Sequence, residues 1–277
     1  MDIKKSIAII ETRGSELEKA RLHCVLHGTS PQPGLAKSLY TLQNSDGGFP
    51  FGMHAGNLSS LNETTVALWW LEELDLLSSP TANQAFDFLL RTQQADGGWD
   101  EEPCLAQYEL PPWIQLGDLR TRLYLSAYAT YGLAVGCRTS LPAFRKALLF
   151  LIRNQDETGK FFGYLHTTWI ATGVFLMAGK NYLAIADNGV RALSAQPLAE
   201  WEDSQLAWAL DCLSKGGLTK YDPFVKRCLD ELLRRQKANG SWASEDGEDS
   251  AVGATLQAVK VLKRYGLITL GSEVKLT

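Results

Sequence analysis

Carboxylates gathered at the starts of helical patterns are the residues of this sequence best placed for chemistry. Asp246-Gly-Glu248-Asp249-Ser250-Ala251 follows Trp242, and Glu200-Trp-Glu202-Asp203-Ser204 opens the helical pattern before it. A third set lies in DEEPCLAQYELPPWIQLGD, between Trp99 and Arg120, where Glu101, Glu102, Glu109 and Asp118 stand among prolines and aromatics. Burial and neighbouring carboxylates both raise a carboxyl pKa, and a carboxyl kept neutral is a general acid. Glu109, flanked by Tyr108, Leu110 and Pro111, has the most apolar surroundings of the third set. The competing role is plain: acids and serines at helix starts cap the helix and complement its dipole, and loop acids are ordinarily solvated.

Aromatic and cationic residues complete the candidates. Trp69, Trp70, Tyr124, Tyr128, Trp169, Phe175 and Trp208 recur at helical spacing, and Trp113 lies in the long proline-rich stretch. Aromatic faces attract cations through their quadrupoles, although aromatics so spaced also make ordinary core. Arg120, Arg122, His54 and His166 are the residues able to hold an anionic head group by charge-assisted hydrogen bonds.

The elements that must position these residues follow from a repeat. Gln43-Asn-Ser-Asp-Gly47-Gly-Phe49, Gln93-Gln-Ala-Asp-Gly97-Gly-Trp99, Gln155-Asp-Glu-Thr-Gly159-Lys-Phe161 and Gln236-Lys-Ala-Asn-Gly240-Ser-Trp242 fit one template, at intervals of 50, 62 and 81 residues. The longest interval accommodates a degenerate copy near Gln196 to Trp201. Each copy follows one helical pattern and precedes another, with the glycine supplying the positive φ that ends the first. The glutamine amide is expected to bond exposed backbone groups while the ring packs over the turn.

This spacing predicts outer helices near 33–43, 81–94, 142–154, 181–195 and 222–236. Inner helices follow near 63–76, 120–136, 167–178, 202–214 and 249–265. A further pair, near 3–11 and 14–27, makes six. The expected fold is all-α, a single (α/α)6 toroid over residues 1–277, with an ordered flap at Pro111, Pro112 and Trp113.

Composition bounds the function. With 45% hydrophobic and 21% charged residues the chain can bury a globular core, and its net charge of −4 offers no basic footprint for nucleic acid. The opening MDIKKSIAIIETRGSELEK does not read as a signal peptide, because Glu11 and Arg13 interrupt its apolar stretch. No apolar run is long enough to span a bilayer, so a cytoplasmic protein is expected, compatible with association at a membrane surface. Five widely spaced cysteines without a Cys-x-x-Cys pair argue against a disulfide framework or structural zinc. Oligomeric state is not indicated.

The Gln-x-x-x-Gly-x-Trp copies resemble those of the terpenoid cyclase and protein prenyltransferase superfamily, whose domains are α/α toroids. GGFPFG followed by NETTVALWWLEEL is most similar to class II cyclases of the squalene-hopene type. That resemblance implies an acid-initiated cyclisation through an Asp-x-Asp-Asp-Thr motif. Here Ser60, Leu61, Asn62 and Glu63 fall on the motif, so its first and third acids are missing. The length resembles monodomain cyclases of the merosterolic acid synthase type, which implies a polyprenyl chain on a hydroxybenzoate head as substrate and no cofactor or metal.

On this resemblance the alkene must be protonated by a shielded, neutral carboxyl. Glu248, with Asp246 and Asp249, reads as a variant of the family's acid motif, and Glu109 is the alternative. Two rivals stand beside the cyclase. One is a non-catalytic toroid binding an isoprenoid or a partner protein, related to a prenyltransferase β subunit. The other is a carbohydrate-processing toroid, which needs two carboxylates facing across an open cleft.

Overall fold

In a computed structural model that describes residues 1–29, 31 and 33–268, the described residues form twelve α-helices and one small hairpin. The leading helices of the repeats are α3 (Pro33–Leu42), α5 (Pro80–Thr92), α7 (Pro142–Asn154), α9 (Leu183–Ser194) and α11 (Pro223–Arg234). The trailing helices are α4 (Leu61–Glu73), α6 (Leu119–Val135), α8 (Leu165–Met177), α10 (Asp203–Lys215) and α12 (Ala251–Arg264). The pair α1 (Ile3–Arg13) and α2 (Glu16–His27) is the sixth. Strands β1 (Phe49–Pro50) and β2 (Ser59–Ser60) pair antiparallel, with Phe49 opposite Ser60. The expected helices are therefore all present, within about three residues at each end.

The helices group into two compact units. One, Gln32–Ala195, carries α3 to α9, with α4 packed on α5 and α6, α6 on α7 and α8, and α8 on α9. The other joins Met1–Pro31 to Gln196–Thr277, with α12 packed on α1, α2 and α10, and α10 on α11. Leading helices bury one stripe, as α7 does at Phe144, Ala147, Leu148, Phe150 and Leu151. Two trailing helices are buried on all sides through their middles: α8 buries every residue from Thr167 to Phe175, and α6 every residue from Leu123 to Tyr131. Proline at the first position of α5, α7 and α11 pre-sets their φ, and Ser79 and Asp222 cap the first and last of these.

The glutamine of each signature does more than satisfy its own turn. Gln43 Nε2 donates to the Gly47 carbonyl (2.8 Å) and to Thr81 O in the first turn of α5 (2.9 Å). Gln93 Nε2 donates to Gly97 O (2.9 Å) and to Ala143 O at the start of α7 (2.9 Å). Gln155 repeats this with Gly159 O (3.0 Å) and Ile185 O of α9 (3.5 Å). Gln236 does so with Gly240 O (3.2 Å) and Ser6 Oγ of α1 (2.9 Å). One amide thus ends one helix and fixes where the next leading helix begins.

The glycine is required twice over. At Gly97, φ is +96°, and a Cβ would lie 2.4 Å from the Lys146 carbonyl oxygen of α7. The ring then seals the turn from inside: Trp99 Nε1 donates to Leu89 O (2.8 Å), and Trp242 Nε1 to Leu232 O (2.7 Å). A further element of the repeat was not apparent from sequence. The aromatic residue's backbone N–H donates to a hydroxyl on the trailing helix, Thr64 (2.9 Å), Ser126 (2.8 Å), Thr168 (3.3 Å) or Thr255 (3.2 Å).

The degenerate copy uses other means. Leu198–Glu200 is a 3₁₀ turn, Trp201 is buried edge-on against Phe224 (6.2 Å between centroids), and Arg235 donates to the carbonyls of Leu198 (2.6 Å) and Trp201. Among the described residues no helix is long and apolar enough to cross a membrane.

Gln93→Leu keeps the side-chain volume but leaves the Gly97 and Ala143 carbonyls without their shared donor. It is expected to destabilise the fold by about 2 kcal/mol, read as a lower urea midpoint with unchanged slope.

Candidate functional site

The acids expected from sequence do not find shelter. Glu109, Asp246, Glu248 and Asp249 are all exposed, and Glu248 lies 3.3 Å from the equally open Lys237 Nζ. Solvent therefore reaches all four of these carboxylates. In the Glu200–Ser204 cluster, Glu202 forms a capping box with Gln205, and Asp203 accepts from Ala243 N (2.8 Å) and pairs with Arg235 (3.4 Å). That cluster plays the structural part.

The sheltered acid is Glu101, only 4% exposed. Its place follows from the second repeat. Trp99 is pinned by its ring and by Ser126, so the chain leaving the turn is aimed at the start of α4. Asp100 then folds back, accepting from Glu101 N (2.9 Å) and Gly117 N (3.0 Å), which closes the long flap on itself. Glu101 is left against the first turn of α4. Its Oε2 accepts from Leu61 N (2.7 Å), and its Oε1 from Asn62 N (2.9 Å) and Ser60 Oγ (2.7 Å). Ser60 Oγ also contacts Glu63 Oε2.

Burial dominates the electrostatics of this group. It pushes the Glu101 carboxyl up from 4.5 to about 7, against the Asn62 N–H, the Ser60 hydroxyl and the Leu61 N–H, and with help from the Glu63 charge. At neutral pH a large share of the protein therefore carries a protonated carboxylic acid here. Asn62, itself buried, has a side-chain oxygen with no hydrogen-bond donor among the described residues. Ser60 to Glu63 are the four positions whose acids are depleted relative to the cyclase motif, and Glu101 is the carboxyl that meets them.

The flap is ordered, as Pro111, Pro112 and Trp113 suggest. Leu105 and Ile114 are buried, Tyr108 stacks on Phe51 (5.0 Å) while its hydroxyl accepts from Leu58 N (2.9 Å), and Tyr164 Oη donates to Trp113 O (3.0 Å). Trp113 meets Tyr124 edge-on at 5.6 Å. Tyr124 in turn contacts Tyr128 (5.9 Å), Tyr164 (6.3 Å) and His166 (6.4 Å), and His166 lies 4.4 Å from the fully buried Trp169. Five expected residues, Trp113, Tyr124, Tyr128, His166 and Trp169, thus share one cluster of rings. Trp69, Trp70 and Trp208 are half-buried on α4 and α10, and Trp69 lines a cleft of about 20 Å³ with Leu68 and Tyr131. That volume is far below what a ligand needs.

The expected cations are engaged elsewhere. Arg120 Nε is 3.0 Å from Asp118, and Arg122 bonds Asp96 (2.8 Å) while its guanidinium lies 5.5 Å over Phe150. Both guanidiniums brace the second repeat. His54 is exposed on the loop between β1 and β2.

In the other unit a charged group is buried between α10 and α12. Asp211 lies 2.9 Å from Lys260 Nζ and also contacts Arg264. Burial works to raise the Asp211 carboxyl, but Lys260, Arg264 and Lys215 outweigh it and hold it well below the usual carboxylate range. One turn before Lys260, neither end of the buried Gln257 amide is hydrogen-bonded among the described residues. Among those residues no group of three or more His, Cys, Asp and Glu side chains is placed to hold a metal ion.

No protein-family profile matches the sequence, and no curated protein is similar to it in sequence. Solved structures are similar in fold. A protein from Actinoplanes superposes with a TM-score of 0.66 at 15% identity, over 95% of this chain and 98% of that one. The type II terpene cyclase MstE from Scytonema superposes with a TM-score of 0.61 at 17% identity, over 96% and 97% of the two chains. An MstE variant in complex with its substrate geranylgeranyl dihydroxybenzoate gives 0.62 at 16% identity over the same shares. This chain has their fold. The all-α repeat architecture expected from the glutamine-glycine-aromatic signature is thereby shown.

Two measurements probe the buried polar groups. Folded Glu101 holds a proton up to about pH 7, whereas the unfolded chain releases it near 4.5. Its contribution is therefore fully present below pH 4.5 and is lost as pH rises through 7, about 3 kcal/mol in all. Urea midpoints should fall across that window in the wild type, and Glu101→Gln should remove this slope. Separately, Gln257→Met is expected to raise stability by about 1 kcal/mol or more, because it removes an unpaired buried amide; a loss of stability would show that the amide has a partner in solution.

Proposed function

We propose that this protein is an acid-initiated terpene cyclase in which Glu101 protonates an alkene of a linear polyprenyl chain. The observation that carries the reading is the buried Glu101 carboxyl at the start of α4, pushed up to about 7 by desolvation. For the acids absent at Ser60 and Asn62, a carboxyl from the next repeat stands at the same helix start. The shared fold with a cyclase whose variant binds geranylgeranyl dihydroxybenzoate supports a prenylated hydroxybenzoate as the substrate class.

Each group has a chemical task in this reading. Burial keeps Glu101 protonated near neutral pH, so that a proton is in place when an alkene is bound. Leu61 N–H, Asn62 N–H and the Ser60 hydroxyl stabilise the carboxylate left when the proton departs. Positive charge moving along the chain is stabilised by aromatic faces, for which the Trp113–Tyr124–Trp169 cluster is the best-assembled set. Deprotonation of the final cation ends the reaction. The reading needs no cofactor or metal.

A non-catalytic isoprenoid-binding protein is the second reading, favoured by Ser60 and Asn62 standing where the cyclase motif has acids. The two part on one assay. Incubated with geranylgeranyl dihydroxybenzoate, squalene or geranylgeranyl diphosphate, the wild type should cyclise one of them, and Glu101→Gln should lower the rate by about 100-fold or more. Loss in Glu109→Gln or Glu248→Gln, with Glu101→Gln unaffected, would instead move the acid to the flap or to the turn before α12. Binding without any cyclised product would favour the second reading.

A further inference from the structure

A proton count at Ser60 leads beyond the identity of the acid. Ser60 is fully buried, and its one hydroxyl touches two carboxyls, Glu101 Oε1 at 2.7 Å and Glu63 Oε2. A hydroxyl has one proton to donate. If both carboxyls were ionised, one of the two contacts would set lone pairs against lone pairs in a buried place. Both contacts are hydrogen bonds only when Glu101 and Glu63 hold at least one further proton between them. Glu63 is half-buried, and its Oε1 accepts from Gly52 N at the exposed edge (3.2 Å), so the group of three runs from the solvent margin to the interior.

We infer that Glu63 and Ser60 form the proton-return path of Glu101, reloading the acid after each turnover. This rests on Glu101 being the acid proposed above. In the loaded state Glu101 Oε1–H donates to Ser60 Oγ, and Ser60 Oγ–H donates to the Glu63 carboxylate. Once Glu101 has given its proton to the substrate, Glu63 takes a proton from water at its open side and the Ser60 hydroxyl turns to Glu101. The O–H bond of Ser60 then breaks as a new one forms at Glu101 Oε1, and the O–H bond of Glu63 breaks as Ser60 regains its own. Glu63 is left as a carboxylate and the loaded state is restored. Cyclisation consumes no net proton, since the one lost by the final cation returns to solvent.

Two features of the surroundings support this division of labour. The charged groups near Glu101 on its own segment and on α6 are already occupied: Asp100 accepts from the Glu101 and Gly117 N–H groups, with Arg122 Nε 3.9 Å away. Glu63, on α4, is the one further carboxyl joined to Glu101 through a side-chain hydrogen bond among the described residues. The donor-less oxygen of buried Asn62 is the second feature, because buried acceptors normally have a partner and this one is one residue from Leu61 N.

Glu63→Gln tests the path, because its amide oxygen still accepts from Ser60 whereas its side chain cannot pass a proton on. With enzyme in excess the first turnover should match the wild type within about twofold, whereas steady-state turnover should fall about tenfold or more. Ser60→Thr, which keeps the hydroxyl, should retain steady-state turnover, and Ser60→Ala should lose it. Equal loss in both regimes for Glu63→Gln, or loss in neither, would overturn the inference. A second measurement does not depend on cyclase activity: in carboxyl-¹³C glutamate-labelled protein, the Glu101 resonance should move on Glu63→Gln, and Ser60→Ala should abolish that response. A Glu101 resonance indifferent to Glu63→Gln would overturn the shared proton even if Glu101 proved to be the acid. A response in a protein without cyclase activity would leave the proton shared and the cyclase reading overturned.

Discussion

One side-chain amide sets the geometry on which the rest depends. In each signature the glutamine Nε2 holds the glycine carbonyl of its own turn and a group in the first turn of the following leading helix. A helix end and a helix start, 50 residues apart for Gln93 and Ala143, become one rigid joint. The neighbouring glycine lets the two backbones touch, and the aromatic ring closes the space beneath. Because the joint fixes where the chain leaves the turn, it also fixes where the next two residues go.

Asp100 and Glu101 are those two residues. Neither has a choice of direction once Trp99 is anchored to Leu89 and Ser126. Asp100 closes the flap, and Glu101 is delivered to the helix start of the preceding repeat, where three donors meet it and water does not. Its acidity is a product of competition: desolvation drives the proton on, the N–H and O–H donors drive it off, and desolvation prevails. A fully open glutamate two residues after a signature turn would be an ordinary surface charge.

The helices were legible because their signals are local. Periods of three and four, prolines at the starts of α5, α7 and α11, and glycines past helix ends are each contained in a few residues. The hydroxyl partners Thr64, Ser126, Thr168 and Thr255 were not legible, since each lies 7 to 27 residues from the aromatic N–H that needs it. The acid was hidden for the same reason. Nothing in DEEPCLAQYEL separates Glu101 from Glu102, because what buries Glu101 is Ser60–Asn62, about 40 residues upstream. Asp246, Glu248 and Asp249 drew notice through an acidic run at a helix start, a pattern that solvation explains equally well. Of the aromatic residues, those in the flap and on α6 and α8 were brought together as a group, whereas Arg120 and Arg122 were drawn off to the acids of their own repeat.

The carboxyl and the helix it serves belong to different repeats, and this has a consequence for modularity. A duplicated or transplanted helix pair would carry its scaffold intact, for the glutamine, glycine and aromatic residue travel together. It would not carry the site. The smallest portable piece that keeps this buried carboxyl is two successive repeats, the first giving the helix start and the second the glutamate. Reshuffling single repeats would therefore keep the architecture and lose the sheltered acid at a stroke.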